Sequence, residues 1–288
     1  MPIRIPPLKR LLVLTAAVWL AEGAACVPPD ASARPAEVGK PQLVGELARQ
    51  IVESSGIVAS RRHKGVYWTM NDSGSRPVLF AIDAKGRTLR TVPLPGARNL
   101  DWEDIAIDAD GTLYVADVGD NACRRTVLTI YAVADPDPRK DDEPDEAKAY
   151  HFRYPKGRKP VDCESLFVRK GWAYVLTKEL LSARLFRVKL DKPGQVATAE
   201  DLGLLPGAKW LTAADISPDG KRIAALAYTA VYVYRLPATI EAIVKQAQTA
   251  TAPADVKPTS RAIDLRQAEA ICLMADGDLL VTNEQRDV

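Results

Sequence analysis

The chain has 288 residues, 47% of them hydrophobic, which is enough to bury a full core and incompatible with gross disorder. Its 39 basic and 37 acidic residues leave a formal charge of +2, so no global field draws it to nucleic acid or to an anionic membrane surface.

Residues 1–25 read as a secretory signal peptide: Arg4, Lys9 and Arg10 precede the apolar run Leu11 to Leu20, and the small residues Gly23, Ala24 and Ala25 follow. The run is shorter than the roughly 20 residues of a transmembrane helix. The expectation is therefore an exported protein, periplasmic or extracellular, without a membrane span. Cleavage falls before Cys26 or after Ala33, where Ala31-Ser32-Ala33 supplies a small-x-small pattern. Lipid attachment at Cys26 is the lesser reading, because Gly23 stands where a lipoprotein signal carries Leu. Residues 26–40 read as an unstructured tether, and residues 41–288 as one repetitive domain.

Gln42 to Leu47 reads as a lone strand whose partner lies at the other end of the chain, the arrangement that removes an exposed sheet edge. Gly56–Ser60, Val66–Met70, Val78–Ile82 and Leu89–Pro93 then make one four-stranded antiparallel unit. Asn99 to Asn121, NLDWEDIAIDADGTLYVADVGDN, is the clearest repeat. Glu103 opens an apolar strand, Asp110-Gly111 reverses the chain, and Leu113 to Ala116 returns toward Asp117, so that Glu103 and Asp117 share one end of a hairpin.

Copies of this template place Glu53 with Asn71, Glu164 with Thr177 and Lys178, Glu269 with Asn283 and, more weakly, Thr212 with Leu226. The anchors recur about every 50 to 60 residues with four short strands in each interval, the period of a β-propeller blade. An all-β fold follows: a β-propeller of five blades of four-stranded antiparallel sheets, or six if a longer chain exists. Asp135 to Lys148 reads as a solvated outer loop, and Thr239 to Ala247 as a short helix on the rim. The last blade shows only Ala270–Leu273 and Leu279–Thr282. Even with the N-terminal strand closing it a third strand is missing, so the blade is defective or the sequence truncated.

The first strand of each blade lines the channel, so Glu53, Glu103, Glu164 and Glu269 are expected to converge at one mouth with Asn71, Asp117 and Asn283. Carboxylates crowded in one funnel must be protonated, paired with a cation or bound to metal, and oxygen-only donors favour a hard ion such as Ca²⁺. Solvated or capping acids, one of them neutralised by Lys178, are the alternative.

ESSGIVAS with its following NDSG, DWEDIAIDADGTLYVADVGDN and CESLFV resemble the secreted propellers called SdiA-regulated and, more distantly, phytase-like and gluconolactonase-like (SMP-30-like) propellers. The resemblance covers about residues 42 to 286. It implies a calcium ion in the channel on Glu53, Asn71, Glu103, Asp117 and Asn283. Thr212 and Leu226 depart from an even ring.

Of the two histidines, His63 falls in a turn on the opposite face and His151 on an outer strand, so no histidine-assisted nucleophile assembles. Ser73 in NDSG lacks a base and reads as a turn residue. Four cysteines fit an oxidising compartment. Cys123 and Cys163 lie on one face of adjacent blades and are expected to form a disulfide, leaving Cys272 a buried thiol. The reading is an exported, monomeric, calcium-binding propeller that acts as a module for a small-molecule or protein ligand. The alternative is a metal-dependent hydrolase of a small ester, lactone or phosphoester, with Glu103 or Asp117 activating water.

Overall fold

The alternating apolar strands and Asp-Gly turns fold into the expected hairpins. The computed structural model describes residues 10–16, 38–236, 239–247, 258–263, 265 and 267–283, and its strands form a five-bladed β-propeller. Blade one contains Ser54–Ala59, Tyr67–Asn71, Val78–Ile82 and Thr88–Pro93, and blade two contains Trp102–Ile107, Thr112–Asp117, Leu128–Ala134 and Lys148–Arg153. Blade three contains Cys163–Arg169, Trp172–Thr177, Arg184–Lys189 and Glu200–Leu204. Blade four contains Leu211–Ile216, Arg222–Ala227, Ala230–Arg235 and Thr259–Ala262. A short strand, Val196–Thr198, pairs in parallel with the outer edge of blade two.

Local chemistry explains the hairpins. The Asp108 carboxylate accepts the backbone N–H groups of Asp110 and Thr112, and Gly111 takes the positive φ of 79° that the reversal requires. Between blades the cores are apolar and closely packed. Trp68 and Met70 of blade one pack with Trp102, Ile105 and Val115 of blade two, all essentially inaccessible to solvent. Asp135 clamps the same two blades: it accepts the Trp68 indole N–H at 2.7 Å, the Ser60 hydroxyl at 2.6 Å and the backbone N–H groups of Arg61 and Arg62. The predicted helix spans Ile240–Ala247 and buries Ile240, Ile243 and Val244 in the cluster that blades three and four share. Glu241 at its first turn pairs with Arg187 of blade three.

The last blade has the order Val38–Glu46, Arg10–Ala16, Leu279–Asn283, Ala268–Leu273. The N-terminal strand closes it from outside, as expected, and the missing third strand is Arg10–Ala16, part of the run read as the apolar core of a signal peptide. Leu11 to Leu14 pair with Thr282 to Leu279, and Leu12 is buried with Ile271 and Val281. A chain cleaved at either expected site would lack this strand. Cys26, Ala33 and most of the tether lie outside the described residues.

The expected disulfide is not formed. Cys163 is buried in the core between blades two and three, its sulfur 3.3 Å from the Tyr154 hydroxyl, whereas Cys123 is exposed in the turn after Asp120. One thiol thus faces the interior and the other solvent. Cys272 is a buried free thiol on an inner strand, as expected. No helix among the described residues is long and apolar enough to cross a membrane.

Candidate metal centre

Each inner strand carries a β-bulge near its start, and the bulge decides which residue faces the channel. In blade two Trp102 pairs with Asp117 and Asp104 with Ala116, so Glu103 is the extra residue. The same irregularity leaves out Ser55 in blade one, Glu164 in blade three, Thr212 in blade four and Glu269 in blade five. A bulge re-aims a side chain that strict alternation would turn away. The register therefore puts Ser55, not Glu53, in the ring with Glu103, Glu164, Thr212 and Glu269. Ala227 pairs with Leu211 and Leu226 with Ala213, so the expected Leu226 does not stand opposite Thr212.

Two residues before each bulge a second tier follows: Glu53, Asp101, Asp162, Trp210 and Gln267. A polar cavity of about 160 Å³ here is lined by Ser55, Asp72, Glu103, Glu164, Lys178 and Glu269, with Asn121, Tyr228 and Gln267 completing the wall. Two carboxylate triads occur here, Asp72-Asp101-Glu103 and Glu103-Asp162-Glu164, each with one oxygen per residue within 4.8 Å of the others. Glu103, only 3% exposed, belongs to both.

The electrostatics follow from this crowding. Burial pushes the Glu103 carboxyl well up, and Glu164, Asp72 and Asp101 push it further. Burial, then Asp72 and Asp162, raise Asp101 to about 6. Lys178 Nζ lies 2.8 Å from Glu164 Oε1, in the neutralising position expected for it, and 5.2 Å from the centre of the Tyr228 ring. Burial raises Glu164 to about 8 against the pull of Lys178, while the Glu164 carboxylate holds the ammonium charged despite its own burial.

Two further expected ligands also make contacts within the chain. Asn71 accepts the backbone N–H of Glu53 at 3.2 Å and donates to the Gln50 carbonyl at 3.0 Å. Asp117, its counterpart in blade two, accepts the backbone N–H of Asp101 at 3.0 Å and pairs with Arg125 at 3.0 Å. Both hold the loop that leads into the inner strand, and neither joins a carboxylate triad. Asn283, 2% exposed, ends the second strand of blade five opposite Ala268. Asp72, Asp101 and Asp162 join the site beyond the residues expected from the sequence. The recurring D-x-E, Asp101-Trp102-Glu103 and Asp162-Cys163-Glu164, carried the signal.

Gly119 makes the close approach possible. A Cβ there would lie 2.1 Å from Glu103 Oε1 and 2.6 Å from Asp101 Oδ2. Gly119→Ala is therefore expected to push both carboxylates aside and cost about 1–3 kcal/mol, the range for overpacking. Denaturant unfolding and cation titration of the variant check this. Wild-type stability and affinity in the variant would mean that the close contact is unimportant.

Below the ring the channel is plugged. The positions after the bulges are Gly56, Ser165, Ala213 and Ala270, small in every blade but the second, where Asp104 projects. Its carboxylate accepts three equivalent backbone N–H groups: Ile105 at 2.8 Å, Leu166 of blade three at 2.8 Å and Ala214 of blade four at 3.2 Å. A Cβ on Gly56 would lie 2.9 Å from Asp104 Oδ1, so there is no room for a larger residue. One layer deeper Asp215 accepts the N–H groups of Ile216 and of Leu273 in blade five, both at 2.7 Å. These acids satisfy inner-strand N–H groups that have no further strand to pair with.

No protein-family model matches the chain, so its resemblance to the SdiA-regulated propellers stays a resemblance. No curated protein sequence matches either. Solved structures similar in fold include a putative gluconolactonase (12% identity, 85% of this chain and 78% of that chain, TM-score 0.45). A gluconolactonase from Xanthomonas campestris aligns at 10% identity over 84% of this chain and 75% of its own, with a TM-score of 0.42. Kuenenia stuttgartiensis hydrazine synthase aligns at 10% identity over 81% and 72%, with a TM-score of 0.43. At such values the likeness fixes neither family nor activity, and the chain is assigned no further than to the five-bladed propellers.

Proposed function

We propose that the funnel binds a hard divalent cation, Ca²⁺ by its all-oxygen donors, and that the protein is a binding module whose cation organises this face for a ligand. The observation that carries the reading is Glu103, buried and shared by two carboxylate triads, with Lys178 paired to Glu164. Glu103 with Asp72 and Asp101, or with Asp162 and Glu164, would hold the ion. A bound ion supplies the positive charge that the crowded carboxylates lack. Asp117, one of the two bases expected for a hydrolase beside Glu103, is tied to Arg125, which favours binding over turnover.

One observation favours the second reading, a metal-dependent hydrolase. Asp101, held at about 6 beside Glu103, is poised as a general base near neutral pH. A panel of lactones, esters and phosphoesters assayed with the cation separates the two. No turnover above buffer is expected, whereas cation-dependent turnover lost in Asp101→Asn would replace the binding reading. We also propose export as a monomer. Mass spectrometry of the mature chain checks the first part, and an intact Met1 terminus in the cell would refute it.

A further inference from the structure

The other mouth of the channel has the opposite character. There the turns that end the inner strands of blades one to four enclose a cavity of about 220 Å³ lined by Arg61, Arg169 and Lys170 over a floor of Ile107, Val168 and Ile216. Two carboxylates also line it, and both are committed to their own turns. Asp108 accepts the Tyr114 hydroxyl at 2.9 Å and the backbone N–H groups of Asp110 and Thr112. Asp219 accepts the Ser217 hydroxyl at 2.5 Å and the Lys221 N–H at 3.0 Å.

The guanidinium groups are less committed, although the Arg61 charge also acts on the buried Asp215. Neither Arg61 nor Arg169, both half-buried, has a carboxylate within ion-pair distance among the described residues. Arg61 is held in place through its backbone, whose N–H donates to the buried Asp135 at 3.1 Å, and the loop before it is pinned by the Ser60 hydroxyl on the same carboxylate. Lys170 occupies a turn position with φ of 50°, where Asn, Asp or Gly is at ease and a long side chain is strained. Backbone strain of this kind collects at functional sites. Half-buried guanidinium groups present planar forks that match carboxylate and phosphate oxygens.

We propose that this mouth is a binding site for a small organic oxyanion, a carboxylate or phosphate monoester with an apolar body, clasped by Arg61, Arg169 and Lys170 over the Ile107-Val168-Ile216 floor. The site is independent of the cation funnel. Titration calorimetry with inorganic phosphate, phenyl phosphate and benzoate tests it. Both aromatic anions are expected to bind, phenyl phosphate about tenfold more tightly than phosphate because its ring covers the apolar floor. Binding should weaken as salt is raised. Arg61→Gln and Arg169→Gln should each lower the affinity about tenfold or more while circular dichroism and melting show the fold intact, and Lys170→Asn should lower it with no loss of stability. Absence of binding by all three anions at low salt, or binding that survives the Arg61→Gln/Arg169→Gln double variant, would overturn the proposal. Should one glutamine variant fail to fold, the result with Lys170→Asn decides, and unchanged affinity there counts against the proposal.

Discussion

Replacing Asp104 by Ala is expected to destabilise the protein by about 3–5 kcal/mol, the less-than-additive cost of leaving three buried N–H donors without an acceptor at about 1–3 kcal/mol each. Three backbone N–H groups from three blades lose their acceptor at once, at a site closed to water. Asp104→Asn keeps one carbonyl oxygen and should cost less, about 1–3 kcal/mol. Chemical denaturation of both variants measures the difference. An Asp104→Ala protein within about 1 kcal/mol of wild type would mean that the inner strands hold together without the plug.

The second large effect is a change of sign in the pH dependence of stability. Burial and mutual repulsion keep Asp101 at about 6, Glu164 at about 8 and Glu103 well above its ordinary range. The folded, cation-free protein therefore retains protons that the unfolded chain gives up near pH 4. Between those limits the native state binds more protons than the unfolded state, so stability must fall as pH rises from about 4 through 8. At about 1.4 kcal/mol per pH unit for each extra proton held, the fall is expected to reach several kcal/mol. With saturating Ca²⁺ the order reverses, because the ion competes with protons for the same oxygens and binds better as they leave. Unfolding curves at the two ends of that window, with chelator and with Ca²⁺, read both slopes. Parallel slopes would show that no cation enters the funnel.

Much of the fold was legible because its signals are local. Asp-Gly turns, alternating strands and a period of 50 to 60 residues led to five blades, and the Ile240–Ala247 helix announced itself by its apolar spacing. The ring was legible where a glutamate happened to sit at the bulge, as at Glu103, Glu164 and Glu269. Blade one went astray because the nearest glutamate, Glu53, lies two residues before the bulge, and the residue at the bulge is the unassuming Ser55. A bulge inserts one residue into a ladder without changing composition, so alternation cannot reveal it.

Asp104 was hidden for a different reason. Inside an apolar strand it resembles the charge that opens the strand, and only the convergence of Ile105, Leu166 and Ala214 N–H groups, the last 110 residues from Asp104, gives it a role. The Arg10–Ala16 strand is just as non-local. Its apolar character serves a signal peptide and a buried sheet position equally well, and pairing with Leu279–Asn283 is invisible without the closed ring. The Cys123–Cys163 expectation correctly placed both residues on one face, but the ladder turns Cys163 inward toward Tyr154.

The central claim, that the acidic funnel is a cation site built around Glu103, is tested most directly by calorimetric titration of Ca²⁺ into protein stripped of metal, beside Glu103→Gln. One ion per chain is predicted, with affinity falling about tenfold or more in the variant, since an oxygen remains but its charge is gone. Absence of binding by the wild-type protein at neutral pH, or equal binding by Glu103→Gln, would contradict the account and leave the funnel a proton-sharing and Lys178-paired structure.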